Sequence, residues 1–368
     1  MWYVGLDVHT RRSTFCVLDS QGRKVRSATI HGSWDKVLSE LAKIKETFKI
    51  CFEASTGYGY LYDRLCKIAS EVVVAHPGQL RLIFRSKRKN DRIDAERIAK
   101  LLYLDEVPQV WVPSIDTRAW RSMIEHRQGL LAERTRAKNA LRALLRGQGI
   151  VAPKGLWTRR GMQWLQEQPL SSPLDGVRRD IHMERVTSIN GMLKRVEQAL
   201  GEIARQHPGM TLLMEIDGVG IRTAEAVLAY IGKPDRFRRS KAIGSYFGLV
   251  PCQDASAEVN RLGHITRQGP ATVRRLLVEA AWQGVRRSPQ IRAFFERVQH
   301  DNSDRRKIAI VATAHYLLRV MLGMLRTGES WRHARAPKPS DYEAKTPRLQ
   351  ASRRGGTATT APTLQAAL

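Results

Sequence analysis

The chain has 368 residues, with 62 Lys+Arg against 35 Asp+Glu and a formal net charge of +27. A hydrophobic fraction of 42% is enough to bury the cores of two or three domains, which excludes disorder throughout, and the sign of the charge favours polyanionic partners. No apolar run approaches the roughly 18 residues of a membrane span, and the start lacks the basic-then-apolar layout of a signal peptide, so a soluble cytoplasmic protein without membrane partners is expected. The four cysteines, Cys16, Cys51, Cys66 and Cys252, form no CxxC pair and read as thiols in a reducing compartment.

In chain order, Trp2–Val8 and residues 13–18 are short apolar strands, followed by the turn signal Asp19-Ser20-Gln21-Gly22 and a third strand at 25–30. An amphipathic helix is predicted over 33–45 with Ser33 as its cap, then a strand at 49–52, a helix at 60–68 and a buried strand at Glu71–Ala75. Pro77 opens another helix, and the basic run Ser86-Lys87-Arg88-Lys89-Asn90 follows. Three meandering strands followed by alternating helix and strand predict an α/β domain with a mixed sheet over residues 1–112.

Residues 113–207 change character. One long helix is predicted over 117–146, and Val186, Ile189, Leu193, Val196, Leu200 and Ile203 then alternate steps of three and four, a heptad seam. The seam suits a helical hairpin within one chain or a coiled coil between protomers. Residues 208–331 read as compact and mostly helical, with a helix at 224–231 and another starting near Ala271. Residues 332–368, rich in Pro, Thr, Ala, Ser and Arg, read as a disordered basic tail. The net charge divides as +6, +8, +8 and +5 over these four segments, so the tail alone does not explain it.

Against this basic background four acids stand out. Asp7 and Glu53 end predicted strands, and Asp91 and Asp94 are spaced to share one face of a helical turn. Carboxylates from strand ends and one helix face supply the oxygen donors that Mg²⁺ requires, and paired ions can activate an attacking oxygen and stabilise a leaving one in phosphoryl transfer. Singly, each acid also suits a turn or cap, Asp94 that of the helix through Leu101. Together with the strand order and the basic flank at Lys87, Arg88 and Lys89, they predict an RNase H-like metal nuclease core. His9 beside Asp7 suits a group supporting that site or a turn residue.

Gly5-Leu6-Asp7-Val8-His9, Glu53-Ala54-Ser55-Thr56-Gly57-Tyr58 and Asn90-Asp91-Arg92-Ile93-Asp94-Ala95 resemble the Asp-Glu-Asp-Asp motifs of insertion-sequence transposases related to the Piv and MooV DNA invertases. This is the IS-one-ten family, which includes bridge-RNA-guided recombinases of bacterial and archaeal mobile elements. The resemblance extends over about residues 1–330. It implies a RuvC-like domain, as in Holliday-junction resolvases, in which Asp7, Glu53, Asp91 and Asp94 hold Mg²⁺.

In the carboxy-terminal half, Ile216-Asp217-Gly218-Val219-Gly220 followed by Thr223-Ala224 resembles a helix-hairpin-helix turn, whose glycines let backbone N–H groups approach a phosphate; an ordinary Gly turn before a helix fits as well. Tyr246-Phe247-Gly248-Leu249-Val250-Pro251, then Ser256, Arg261, Gly263, Thr266, Arg267 and Gly269, is similar to the family's Gly-Leu-x-Pro element with a serine and a basic, Gly-rich loop. By position the family's nucleophilic serine, which links covalently to DNA, falls on Ser256. Relatives usually place Gly after this serine where this chain has Ala257.

The resemblance also implies donor and target DNA, a bridge or guide RNA and a homotetramer of two dimers with composite sites. Arg118, Arg121, Arg127, Arg134, Lys138, Arg142 and Arg146 on the long helix read as a solvated face or as phosphate contacts, and Arg274-Arg275 and Arg305-Arg306-Lys307 are further candidates. Three functions compete: a recombinase acting through Ser256, a hydrolytic junction resolvase or nuclease in which water attacks, and a basic nucleic-acid-binding protein without chemistry. Only the first two give four acids a role in so basic a chain.

Overall fold

A computed structural model describes residues 1–84, 90–256 and 259–331. Lys87, Arg88, Lys89, Ala257 and the predicted basic tail lie outside the described residues.

The amino-terminal third is built on strands β1 (Trp2–Val8), β2 (Arg12–Leu18), β3 (Lys24–His31), β4 (Phe48–Glu53) and β5 (Glu71–Ala75) in the order β3-β2-β1-β4-β5. The first three form the expected antiparallel meander, and β1, β4 and β5 run parallel. The β2–β3 turn closes as its sequence suggests: the Asp19 side chain accepts from the backbone N–H groups of Gln21 and Arg23 at 2.8 and 2.9 Å.

Strand alternation separates the two faces. Val4, Leu6, Phe15, Val17, Ile50 and Phe52 are buried against α1 (Trp34–Leu41) and α2 (Tyr58–Leu65). Gly5, Cys16, Leu18 and Cys51 face the other way, under α4 (Asp91–Tyr103), which follows the short α3 (Pro77–Ile83). Helix α1 stops short of the expected 45, its last residues closing in three-residue turns, and Ser33 occupies its N-cap position without a side-chain cap bond.

Beyond this sheet the chain is mainly helical. Helix α5 (Ile115–Gly147) and α7 (Pro173–Gln206) pack side by side and antiparallel, tied by Arg127 to Glu197 and Arg134 to Asn190. A helix the sequence did not suggest, α6 (Arg159–Glu167), lies between them and is capped by Thr158, which accepts from Gly161 N–H at 3.2 Å. Helix α7 is longer than its seam because Ser172 caps it and Pro173 starts it.

The seam residues Val186, Ile189, Leu193, Val196 and Leu200 are buried within this one chain, while Ile203 is exposed and Ala204 takes its inward position. Ile189, Leu193, Val196 and Leu200 share a core with Trp120, Ile124 and Leu130 of α5, and that core continues into the carboxy-terminal helices across residue 208. The hairpin alternative therefore accounts for the seam.

The last third contains α8 (Gly209–Met214), α9 (Ile221–Ile231), α10 (Ala242–Tyr246), α11 (Ala271–Arg287), α12 (Pro289–Gln299) and α13 (Arg306–Thr327). Strands β6 (Pro251–Ser256) and β7 (Val259–Ile265) form an antiparallel hairpin where a Gly-rich loop was expected, and the loop is confined to the residues after β7. Contrary to the sequence expectation, one helical stretch is long and apolar enough to cross a membrane: Ser303–Thr327 has a mean hydropathy of 1.8 over an 18-residue window. More than half of that window is buried, with Ala314, Leu317, Leu318, Met321 and Leu322 in the core, so its apolar character is spent on packing against α11 and α12.

Candidate metal centre

The parallel register of β1 and β4 sets Leu6 opposite Phe52. Asp7 and Glu53, each one residue further along, therefore leave adjacent strands at the same sheet edge. Leu6 and Phe52 face α1 and α2, so alternation turns Asp7 and Glu53 toward the α4 face.

Helix α4 starts there. Asn90 is its N-cap and accepts from Arg92 N–H at 3.0 Å, which leaves Asp91 and Asp94 in the first turn, where the positive end of the helix favours carboxylates. Asp94 is thus not the cap. The approach of α4 to the sheet depends on Gly5: a Cβ there would lie 2.1 Å from Ala95 O and 2.3 Å from Ala99 N.

The result is a cleft of about 460 Å³ whose lining includes Asp7, His9, Glu53, Ser55, Asp94 and Arg97. Asp7, His9 and Asp91 offer donor atoms that all lie within 4.8 Å of one another. His9 Nε2 is 3.4 Å from Asp7 Oδ2, Arg12 pairs with Asp91, and Arg97 Nη1 is 3.6 Å from Asp94 Oδ1. Glu53 makes no ion pair among the described residues. Burial pushes the Asp7 carboxyl above its usual range, and the charges of Asp91, Asp94 and Glu53 add to this against the opposing effect of His9. A site with this many hard oxygen donors, one of them destabilised as an anion, fits a divalent cation.

His9 was visible in the sequence only as an ambiguous neighbour of Asp7. Arg97 was legible in principle, three residues after Asp94 on the same helix face. Arg12 carried no local signal, because its partner Asp91 lies 79 residues away.

The other sequence-predicted residues divide by their partners. Ser256 ends β6 opposite Val259, on a different sheet from the carboxylates, and its side chain lies outside the described residues. Arg127 is bound to Glu197 at 2.8 Å and Arg134 to Asn190 at 3.1 Å, so both serve the α5–α7 hairpin. Arg274 donates to the carbonyls of Phe247, Gln268 and Gly269, holding the loop after β7. Arg275 is exposed and touches Gln128, and Arg261 and Arg267 are exposed on and beyond β7.

A mixed sheet that brings carboxylates together at the ends of adjacent strands, in a chain of net charge +27, suits a protein that acts on a polyanion. Comparison with known proteins narrows the class. Residues 4–149 match the DEDD transposase model of the IS110 type, and residues 210–296 match the model for the transposase IS116/IS110/IS902 family. The chain belongs to the IS110 family of DEDD transposases, insertion-sequence enzymes that cut DNA.

Among its relatives, protein y4qE of Sinorhizobium fredii, described as a transposase, is 28% identical over 299 residues, covering 76% of this chain and 71% of that one. The transposase of insertion sequence element IS1111A from Coxiella burnetii is 24% identical, covering 76% of each chain. That of IS1328 from Yersinia enterocolitica is 25% identical, covering 63% of this chain and 69% of its own.

Proposed function

We propose that the protein moves an insertion sequence by cutting and rejoining DNA strands through transesterification, with Asp7, Glu53, Asp91 and Asp94 holding Mg²⁺ in an RNase H-like domain and Ser256 as the nucleophile. The observation that carries this reading is the convergence, in a strongly basic chain, of Asp7, Glu53 and Asp94 on one cleft, with Asp91 beside Asp7 and His9 at its margin. The strand order β3-β2-β1-β4-β5, antiparallel then parallel, supports the domain assignment.

Bound there, a divalent cation supplies charge neutralisation at the phosphate and lowers the pKa of an attacking hydroxyl. The four acids hold it, and the pairings of Arg12 with Asp91 and of Arg97 with Asp94 keep those carboxylates oriented. The Ser256 oxygen gives up its proton and bonds to phosphorus, the scissile P–O bond breaks, and the departing strand oxygen gains a proton in exchange, so the step is balanced as a transesterification. The phosphodiester energy is retained in the serine–DNA bond, so attack by another strand's hydroxyl rejoins DNA without ATP. A structured guide RNA that selects donor and target DNA in the cytoplasm, and a tetramer that brings carboxylates and serine together, complete the proposal on the strength of the family resemblance.

Two substitutions test it. Asp91→Asn should abolish strand cleavage while DNA binding persists. Ser256→Ala should abolish any denaturant-resistant protein–DNA adduct on a labelled substrate. Cleavage to free ends by Ser256→Ala would remove the serine from the chemistry and leave the hydrolytic alternative.

A further inference from the structure

A larger cavity, about 1190 Å³, lies away from the carboxylates, between α5, the start of α9, α11 and Arg306 at the start of α13. Positions four residues apart bring Gln128, Ala132 and Arg136 onto one face of α5, and Arg275, Glu279, Trp282 and Arg286 form a stripe along α11. Of seven charged side chains lining the groove, six are arginines and one is Glu279.

Their partners divide these arginines. Arg127 and Arg222 are engaged by Glu197 and Glu225. Arg136 and Arg286 are exposed, and their guanidinium groups make no hydrogen bond or ion pair among the described residues. Arg306 stacks over the Trp282 ring at 5.0 Å.

The turn before α9 adds donors. Gly218 has φ +93°, and a Cβ on it would lie 2.4 Å from Gly284 N and 2.7 Å from Ala280 O, so the turn is seated directly on α11. Gly220, the N-cap, supplies no capping side chain, and a Cβ on it would meet nothing within 4 Å. Ile221 and Arg222, the first residues of α9, both line the groove, and no N-cap side chain occupies the N–H groups at this helix start.

We propose that this groove is a second nucleic-acid site, separate from the carboxylate cleft, in which Arg136, Arg286, Arg306 and the uncapped start of α9 grip the phosphate backbone of a DNA duplex. The duplex is favoured over a single strand because unpaired bases need free aromatic faces to stack on, and the one aromatic ring among the described residues of the groove, Trp282, has Arg306 over it. DNA as the polymer rests on the transposase reading. The site itself rests on the geometry alone.

The test is fluorescence anisotropy of the full chain with a labelled DNA duplex of arbitrary sequence, in chelator, over a range of salt. Arg136→Ala/Arg286→Ala should weaken binding about tenfold or more and flatten the slope of log affinity against log salt by roughly two, close to 0.9 for each lost phosphate contact. Arg159→Ala/Arg160→Ala removes the same charge from exposed positions on α6 and should leave the slope unchanged.

Gly220→Asp should weaken binding while the melting temperature holds or rises, because Asp is a good N-cap at this extended position and occupies the same donors. An unchanged slope in the groove variant, an equal loss in the α6 control, wild-type binding by Gly220→Asp, or a loss in the groove variant that is larger for single strands or for duplex RNA than for duplex DNA would overturn the proposal. Asp7→Asn separates the two sites: duplex binding that survives while cleavage is lost supports the groove independently of the chemistry.

Discussion

Burial pushes the Asp7 carboxyl up, and Asp91, Asp94 and Glu53 push it the same way while His9 opposes them. Over the window from the ordinary value of 3.8 up to the raised one, the native state keeps a proton that the unfolded chain has released. Metal-free stability therefore falls as pH rises through that window, and a divalent cation reverses the trend by favouring the anion. Asp7→Asn should raise the stability of the metal-free protein by roughly 1 kcal/mol, as relief of functional strain commonly does, flatten this pH dependence and abolish cleavage. Thermal melts in chelator from acid to neutral pH check the first two effects, and a strand-cleavage assay the third.

At the scale of elements, two contacts position the chemistry. The seat of α4 on β1 runs through Gly5, where any Cβ would collide with backbone atoms that cannot rotate away. Gly5→Ala should destabilise the fold by about 1–3 kcal/mol, the usual range for overpacking, and displace Asp91 and Asp94. Urea midpoints should fall and cleavage should drop below the melting temperature, although all four acids remain. The α5–α7 hairpin is the second contact. Leu193 is 4% exposed within a single chain, so Leu193→Ala should cost about 2–5 kcal/mol, with the same dependence of the unfolding midpoint on protein concentration as the wild type. A concentration dependence altered by the substitution would reveal a seam working between chains.

For the whole molecule, the distribution of charge separates binding from cutting. Three folded segments carry +6, +8 and +8, while Asp7, Glu53 and Asp94 line one cleft with Asp91 beside it. Removing divalent metal should abolish cleavage and leave DNA binding nearly intact, whereas moderate added salt should weaken binding by about two orders of magnitude or more. Gel shifts in chelator and in graded salt separate the two effects.

Much of this was legible along the chain because it is written locally. Alternation gave the five strands, Asp19 and Gly22 their turn, and Asn90 with Asp91 and Asp94 a helix start with both acids in its first turn. The four acids could be picked out because they oppose the prevailing charge. Capping explains what was missed in length: Ser172 and Thr158 start helices beyond the periodic residues that announced α7 and where none announced α6.

By itself, the sequence determined the five strands of the first domain, the basic character and the resemblance that singles out the acids, since each depends on neighbouring residues or on composition. Tertiary structure decided that Asp7 and Glu53 share a face, that Arg12 meets Asp91, that the seam of α7 is satisfied by α5, and that arginines of α5, α11 and α13 line one groove. These contacts join residues tens to well over a hundred positions apart, and only close packing between elements brings them together.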